Sequence, residues 1–267
     1  LIQNFFPLLS PFYYILSGGT KMHLERVADI FIEIAGLLFL YGSNAGEIEN
    51  TITKLGNSYG LEIQIASIGT VIYLTVIDAK GKSITRIKRV TVNEINFYKL
   101  EKLENLLEKF ISERTPLLIV KKELIDLNKK YMGKTVPFFI TIIAVFVACF
   151  SFSVVFKGNF TDAFISSVVG TFVYLSTLKI SNRIFKDFIA GFFIHTFLEV
   201  FSIFMKLNFL PALAGSIMIF VPGLLLTNSV IEIGERNFVS GSSKLLESLI
   251  ILSALVLGAG ISSALWR

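Results

Sequence analysis

The chain has 267 residues, 53% of them hydrophobic and 17% charged, with a formal net charge of +5. Residues 1–134 carry 17 Lys or Arg and 14 Asp or Glu, while residues 135–267 carry only 8 and 6. A mixed-charge half followed by a mostly apolar half, with no basic stripe interleaved with aromatics, excludes a nucleic-acid footprint. The single cysteine, Cys149, excludes an intrachain disulfide and any zinc-type cysteine spacing.

Residues 1–21 are apolar from Phe5 to Leu16 but interrupted by Pro7 and Pro11, and no basic residue precedes them. They fit neither a signal peptide nor a spanning helix. Ser17-Gly18-Gly19-Thr20-Lys21-Met22 can be encoded by a stretch resembling a ribosome-binding site before a start codon. The expectation is therefore a natural start at Met22, with residues 1–21 a translated leader.

Leu24–Tyr41 has apolar residues at helical spacing, with Glu25, Asp29 and Glu33 off the stripe. Gly42 punctuates, and Ser43 or Asn44 can cap a second helix, about Ala45–Tyr59, whose Ile48, Ile52 and Leu55 share a face. Glu62–Ile68, Thr70–Ile77 and Ser83–Val90 read as two or three short strands, the last pair joined by a turn over Asp78–Lys82. Lys99–Ile111 and Leu117–Leu127 read as solvated helices. Residues 22–134 are thus expected to form an α+β domain.

Residues 135–267 hold five apolar segments: Val136–Phe156, about Ala163–Leu178, Phe188–Met205, about Asn208–Val230 and Leu245–Leu265. About 20 apolar residues suffice to cross a bilayer. The predicted fold class is a membrane protein, a bundle of about five transmembrane helices in contact with lipid, preceded by the soluble domain. Lys121, Lys122, Lys129, Lys130 and Lys134 flank the first segment, Lys179, Arg183 and Lys186 follow the second, and Arg236 and Lys244 follow the fourth. By the positive-inside rule the soluble domain is cytoplasmic, and an odd number of spans leaves the C-terminus outside. Five spans cannot split into two equal repeats, so a partner subunit or a homo-oligomer is expected.

Two features in these segments could carry chemistry. Leu207–Ile231 is uncharged, yet Pro222 and Gly223 interrupt it, and Ser216, Thr227, Asn228 and Ser229 surround the interruption. Pro removes a backbone donor, and freed backbone groups inside a membrane must be satisfied by protein, water or solute. Broken helices of this kind line substrate sites in transporters, although a simple kink would look the same. Pro222, Gly223, Thr227, Asn228 and Ser216 are accordingly candidates for substrate binding or gating, with helix packing as the alternative for Ser216. His195 and Glu199, four residues apart on one helix face, are candidates for proton coupling or for a structural hydrogen bond. No catalytic triad, metal set or phosphate loop assembles, so neither an enzyme nor a cofactor is expected.

Val221-Pro222-Gly223, then Leu226-Thr227-Asn228, then Gly241, Leu245 and Glu247, resemble the threonine/serine exporter family. So do Tyr41-Gly42-Ser43 with Glu47, Glu49 and Thr51, and the β-rich stretch ending in Arg86 and Arg89. The resemblance covers about Glu25–Leu265. It implies a multi-pass protein of the bacterial cytoplasmic membrane that exports threonine and serine on the proton gradient. It further implies a split type, in which a chain with the soluble domain and five spans works with a second, smaller hydrophobic subunit. Similar split members are associated with succinate-like dicarboxylates, which leaves the solute open, and a membrane-anchored interaction protein is the alternative from another class. In the loop after Asn228 the family carries an Arg-Asp pair; here the chain reads Val230–Arg236 without it.

Overall fold

The computed structural model describes residues 20–90, 95–113, 115–116, 119–120, 122–126 and 136–266, with side chains from Leu24 onward. The proposed leader up to Gly19, Lys121, Lys129, Lys130, Lys134 and parts of the helix expected at Leu117–Leu127 lie outside the described residues. The described residues form two compact units, those up to 126 with 230–242, and those of 136–229 with 243–266.

In the first unit α1 (Thr20–Tyr41) packs on the sheet and against two helices. This explains why Ile30, Ile32 and Phe39, off the expected stripe, are buried as well as Phe31, Ile34 and Leu38. Helix α2 (Ala45–Ser58) starts at a capping box: the Glu47 amide donates to Asn44 Oδ1 at 2.9 Å and the Asn44 amide to Glu47 Oε2 at 3.2 Å. Ile48, Ile52 and Leu55 form its buried face. It ends where Gly60 takes φ +71°, a backbone conformation glycine adopts without steric cost.

Three antiparallel strands follow, β1 (Glu62–Ile68), β2 (Val71–Ile77) and β3 (Ser83–Arg89), in that spatial order. Ile68 pairs with Val71 and Ile77 with Ser83, so each connection is a short hairpin. Asp78 Oδ1 accepts from the amides of Lys80 and Lys82 and fixes the second turn. Alternation buries Ile72, Leu74 and Val76 of β2, while β3 turns Arg86 and Lys88 toward α1, where they pair with Asp29 and Glu33. Helix α3 (Phe97–Glu113) buries Leu100, Leu103, Leu107 and Phe110 at helical spacing. The Tyr59 hydroxyl donates to the carbonyl of Thr115, tying the end of α2 to the segment after α3. Residues 119–120 and 122–126 are helical.

In the second unit α4 (Phe138–Val155), α5 (Phe160–Thr177) and α7 (Phe209–Ile217) pack on one another, and α6 (Arg183–Phe204) packs on α5 and α7. After α7 comes one turn of 3-10 helix, Met218–Phe220, and then α8 (Gly223–Gly234). Helix α9 (Phe238–Leu265) follows. Helices α5, α6 and α9 each begin several residues before the apolar segments read from the sequence. Asn159 caps α5 through a box with Asp162, and Asn182 caps α6, so polar residues that look like loop are in fact first turns.

Among the described residues α4, α6 and α9 are long and apolar enough to cross a membrane. The pair α7–α8, bent by 68° at its break, makes a fourth if counted as one span. Helix α5, as long as α4 at 18 residues, is not among them because it is less apolar: it carries Asp162 and several hydroxyls. The architecture is that of a mostly helical membrane protein with a small antiparallel sheet in its N-terminal half.

Candidate functional site

Helix α6 carries the ionisable pair picked out by spacing. His195 Nε2 stands 3.8 Å from Glu199 Oε1, with His195 buried and the Glu199 side chain 32% exposed. What spacing could not reveal is the other side of the ring. His195 Nδ1 lies 3.1 Å from Ser262 Oγ of α9, and that hydroxyl is 2.8 Å from Thr196 Oγ1. Phe209 of α7 meets the imidazole edge to face, its centroid 5.1 Å away. The ring therefore sits among three helices, with both nitrogens facing polar atoms. A neutral imidazole can donate from one nitrogen and accept at the other, so Nδ1 can either donate to the Ser262 hydroxyl or accept from it.

The approach of α9 to α6 is set by glycine. A Cβ added at Gly191 would collide with the carbonyl of Leu255, and one at Gly258 with the carbonyl of Phe188. Backbone meets backbone at both places, as in close small-residue crossings of membrane helices. Of the Gly258-Ala259-Gly260 cluster, Gly258 makes this contact, whereas Gly260 faces open space.

At the break, Pro222 is buried and Gly223 opens α8, with nothing within 4 Å of where its Cβ would be. The Gly223 amide donates to the Val221 carbonyl at 2.8 Å and the Leu226 amide to that of Pro222 at 3.1 Å. These bonds satisfy part of the backbone that the bend frees. Thr227 is exposed and its hydroxyl donates back to the Gly223 carbonyl at 3.0 Å; Asn228 is half-buried. Ser216 does not join them. It is fully buried in α7, donates to Ala212 O at 2.9 Å and lies 3.2 Å from Ser166 Oγ of α5. Its surroundings are those of a packed helix contact.

Three acidic residues outside the candidate set are also buried. Asp162 accepts from the Asn208 amide and side chain, at 2.9 and 2.8 Å, and from the Asn159 amide at 2.9 Å. It locks the start of α5 to the start of α7. Asp187 of α6 is 3% exposed. Glu232 is fully buried, and its Oε1 accepts from the Ala45 amide at 2.8 Å, at the N-terminus of α2. Beside it Glu235 presses on Gly46, where a Cβ would collide with its carboxylate. Glu49 accepts from the Ser67 amide at 3.0 Å. Burial raises the Glu49 pKa, the Ser67 bond opposes this, and the charges of Glu232 and Glu235 add to the rise. Among the described residues no group of three or more His, Cys, Asp or Glu is placed to hold a metal ion.

Several apolar helices, one of them broken, and buried ionisable groups within them define a multi-pass membrane protein of the transporter class. A family model described as "Putative threonine/serine exporter" matches residues 29–266. The chain belongs to that family. No curated protein and no solved structure matches it.

Proposed function

We propose that this chain is one subunit of a proton-driven secondary exporter of threonine and serine in the bacterial cytoplasmic membrane. The observation that carries the reading is the family match over residues 29–266, which takes in both the soluble unit and the broken helix. In this reading the membrane part has five spans, α5 among them, the soluble domain of residues 22–134 is cytoplasmic and the C-terminus is outside. The unpaired fifth span is completed by a second, smaller hydrophobic subunit. The solute meets Pro222, Gly223, Thr227 and Asn228 at the break, where exposed backbone and an amide can bind a zwitterion without a fixed charge. The proton is handled by His195 and Glu199. Their 3.8 Å separation, with Ser262 behind the ring, supports a relay over an isolated charge.

The test is efflux from intact cells expressing this chain, with and without a small hydrophobic subunit of the same family. Cells are loaded in parallel with threonine, serine and succinate. Efflux of threonine and serine only when both chains are present is the expected result. Efflux of succinate alone would replace the substrate, and efflux of none would remove the exporter reading.

A further inference from the structure

Asp187 is a buried carboxyl whose nearest cation does not close on it. Asp187 lies in the second turn of α6 and is 3% exposed, and among the described residues its Oδ2 has no hydrogen-bond partner. Arg183, one turn earlier, stands 3.8 Å from that oxygen, and its side chain is 52% exposed. A charge-assisted hydrogen bond to a carboxylate is about 2.7–2.9 Å long, so this guanidinium does not close on it. Lys186 is turned elsewhere, over the Tyr174 ring of α5 at 5.7 Å from its centroid. Among the described residues Arg183 and Lys186 are the charged groups that act on Asp187, and both are on its own helix.

An ionised carboxylate buried with a bare oxygen loses its hydration without replacement. A proton on Oδ2 removes that cost. Asp187, Gly191 and His195 recur every four residues, so they share one stripe of α6. Gly191 of that stripe rests on the backbone of α9 and His195 on Ser262 of α9. Two proton-competent side chains thus lie about 12 Å apart along one stripe of α6, eight residues at 1.5 Å each.

We infer that Asp187 is a proton-binding site of the membrane part, carrying a proton on Oδ2 when buried and releasing it to water when the α6–α9 seam opens. The inference rests on the proton-driven reading above and adds to it a second site on the same stripe as His195. No covalent bond is made beyond the carboxyl O–H that forms and breaks.

The experiment uses the full chain with its partner subunit in lipid vesicles, radiolabelled threonine as the probe, and the variants Asp187→Asn and Arg183→Gln. Threonine movement is driven either by a pH gradient or by exchange against internal threonine. Asp187→Asn is expected to lose the response to the pH gradient and keep exchange, with Arg183→Gln close to wild type in both. An unchanged gradient response in Asp187→Asn overturns the proposal. Loss of both modes also overturns it, as does equal damage by Arg183→Gln, which would mark a structural ion pair. If wild-type vesicles move no threonine, the exporter reading fails, and infrared spectra still decide the site. A protonated-carboxyl band present in wild type, titrating with pH and missing in Asp187→Asn, supports it; no such band overturns it. Should Asp187→Asn fail to insert, Asp187→Glu keeps the carboxyl and must shift the band and its titration.

Discussion

His195 is held by partners from three helices, and each contributes a different kind of force. Glu199 offers a charge at 3.8 Å, Ser262 a hydroxyl at 3.1 Å and Phe209 an aromatic edge. Ser262→Ala leaves Nδ1 without its partner in a buried place, a loss of about 1–3 kcal/mol for an unsatisfied buried group. A lower melting temperature of the purified protein, with insertion retained, checks this. Glu199→Gln keeps the shape and removes the charge. It should abolish proton-coupled export while the protein still inserts, as read by efflux and membrane yield. Full activity in that variant would reduce the pair to a structural contact. The pair itself is legible from its i, i+4 spacing. Ser262 is not, because it lies 67 residues away and nothing local marks one serine of α9 above the others. Asp187 escapes for a simpler reason: the apolar segment begins at Phe188, one residue beyond it, and a charge at the edge of such a run looks like the end of the span.

At the scale of elements, the break between α7 and α8 is the feature the sequence announces most directly. Proline in an otherwise apolar run has few other meanings, and a bend of 68° stands there. Pro222→Ala restores a donor and removes a helix-breaking preference of about 3 kcal/mol. The bend should straighten, with export falling and membrane yield unchanged; cysteine accessibility across Ile217–Leu226 would follow the change. The docking of Glu232 and Glu235 against the start of α2 could not be foreseen, since the contact spans 187 residues and exposed loops usually carry such charges. Its consequence is a pH dependence. The Glu49 carboxyl is raised chiefly by burial, so the folded unit binds this proton more tightly than the unfolded chain. The stabilisation is fully present below the ordinary glutamate value and is lost as pH rises through the raised one. Melting temperatures of the full chain in detergent should therefore climb on acidification across that window. In Glu49→Gln the climb should flatten, and a slope identical to wild type would remove Glu49 as its source.

For the whole molecule, the question is how many times the chain crosses the membrane. The overall division is readable from charge density alone, because a bilayer tolerates few charges and a solvated α+β domain requires many. The count is not, since helix α5 sits at the margin by its polar content, with Asp162 fully buried in its first turn. Asp162 satisfies Asn159 and Asn208, so its charge is answered within the protein and does not by itself forbid a crossing. If α5 crosses and the bent pair is one span, the total is odd and the two ends of the chain lie on opposite faces; without α5 it is even and they lie together. A single buried cysteine, Cys149, makes this measurable. In a Cys149→Ser background, Lys80→Cys places a thiol in the β2–β3 turn and Trp266→Cys one near the C-terminus. An impermeant maleimide applied to intact cells should label position 266 and leave position 80 untouched until the cells are opened. Protection of both positions would put the two ends on the same face, take α5 out of the membrane, and with it the argument that an unpaired fifth span calls for a second subunit.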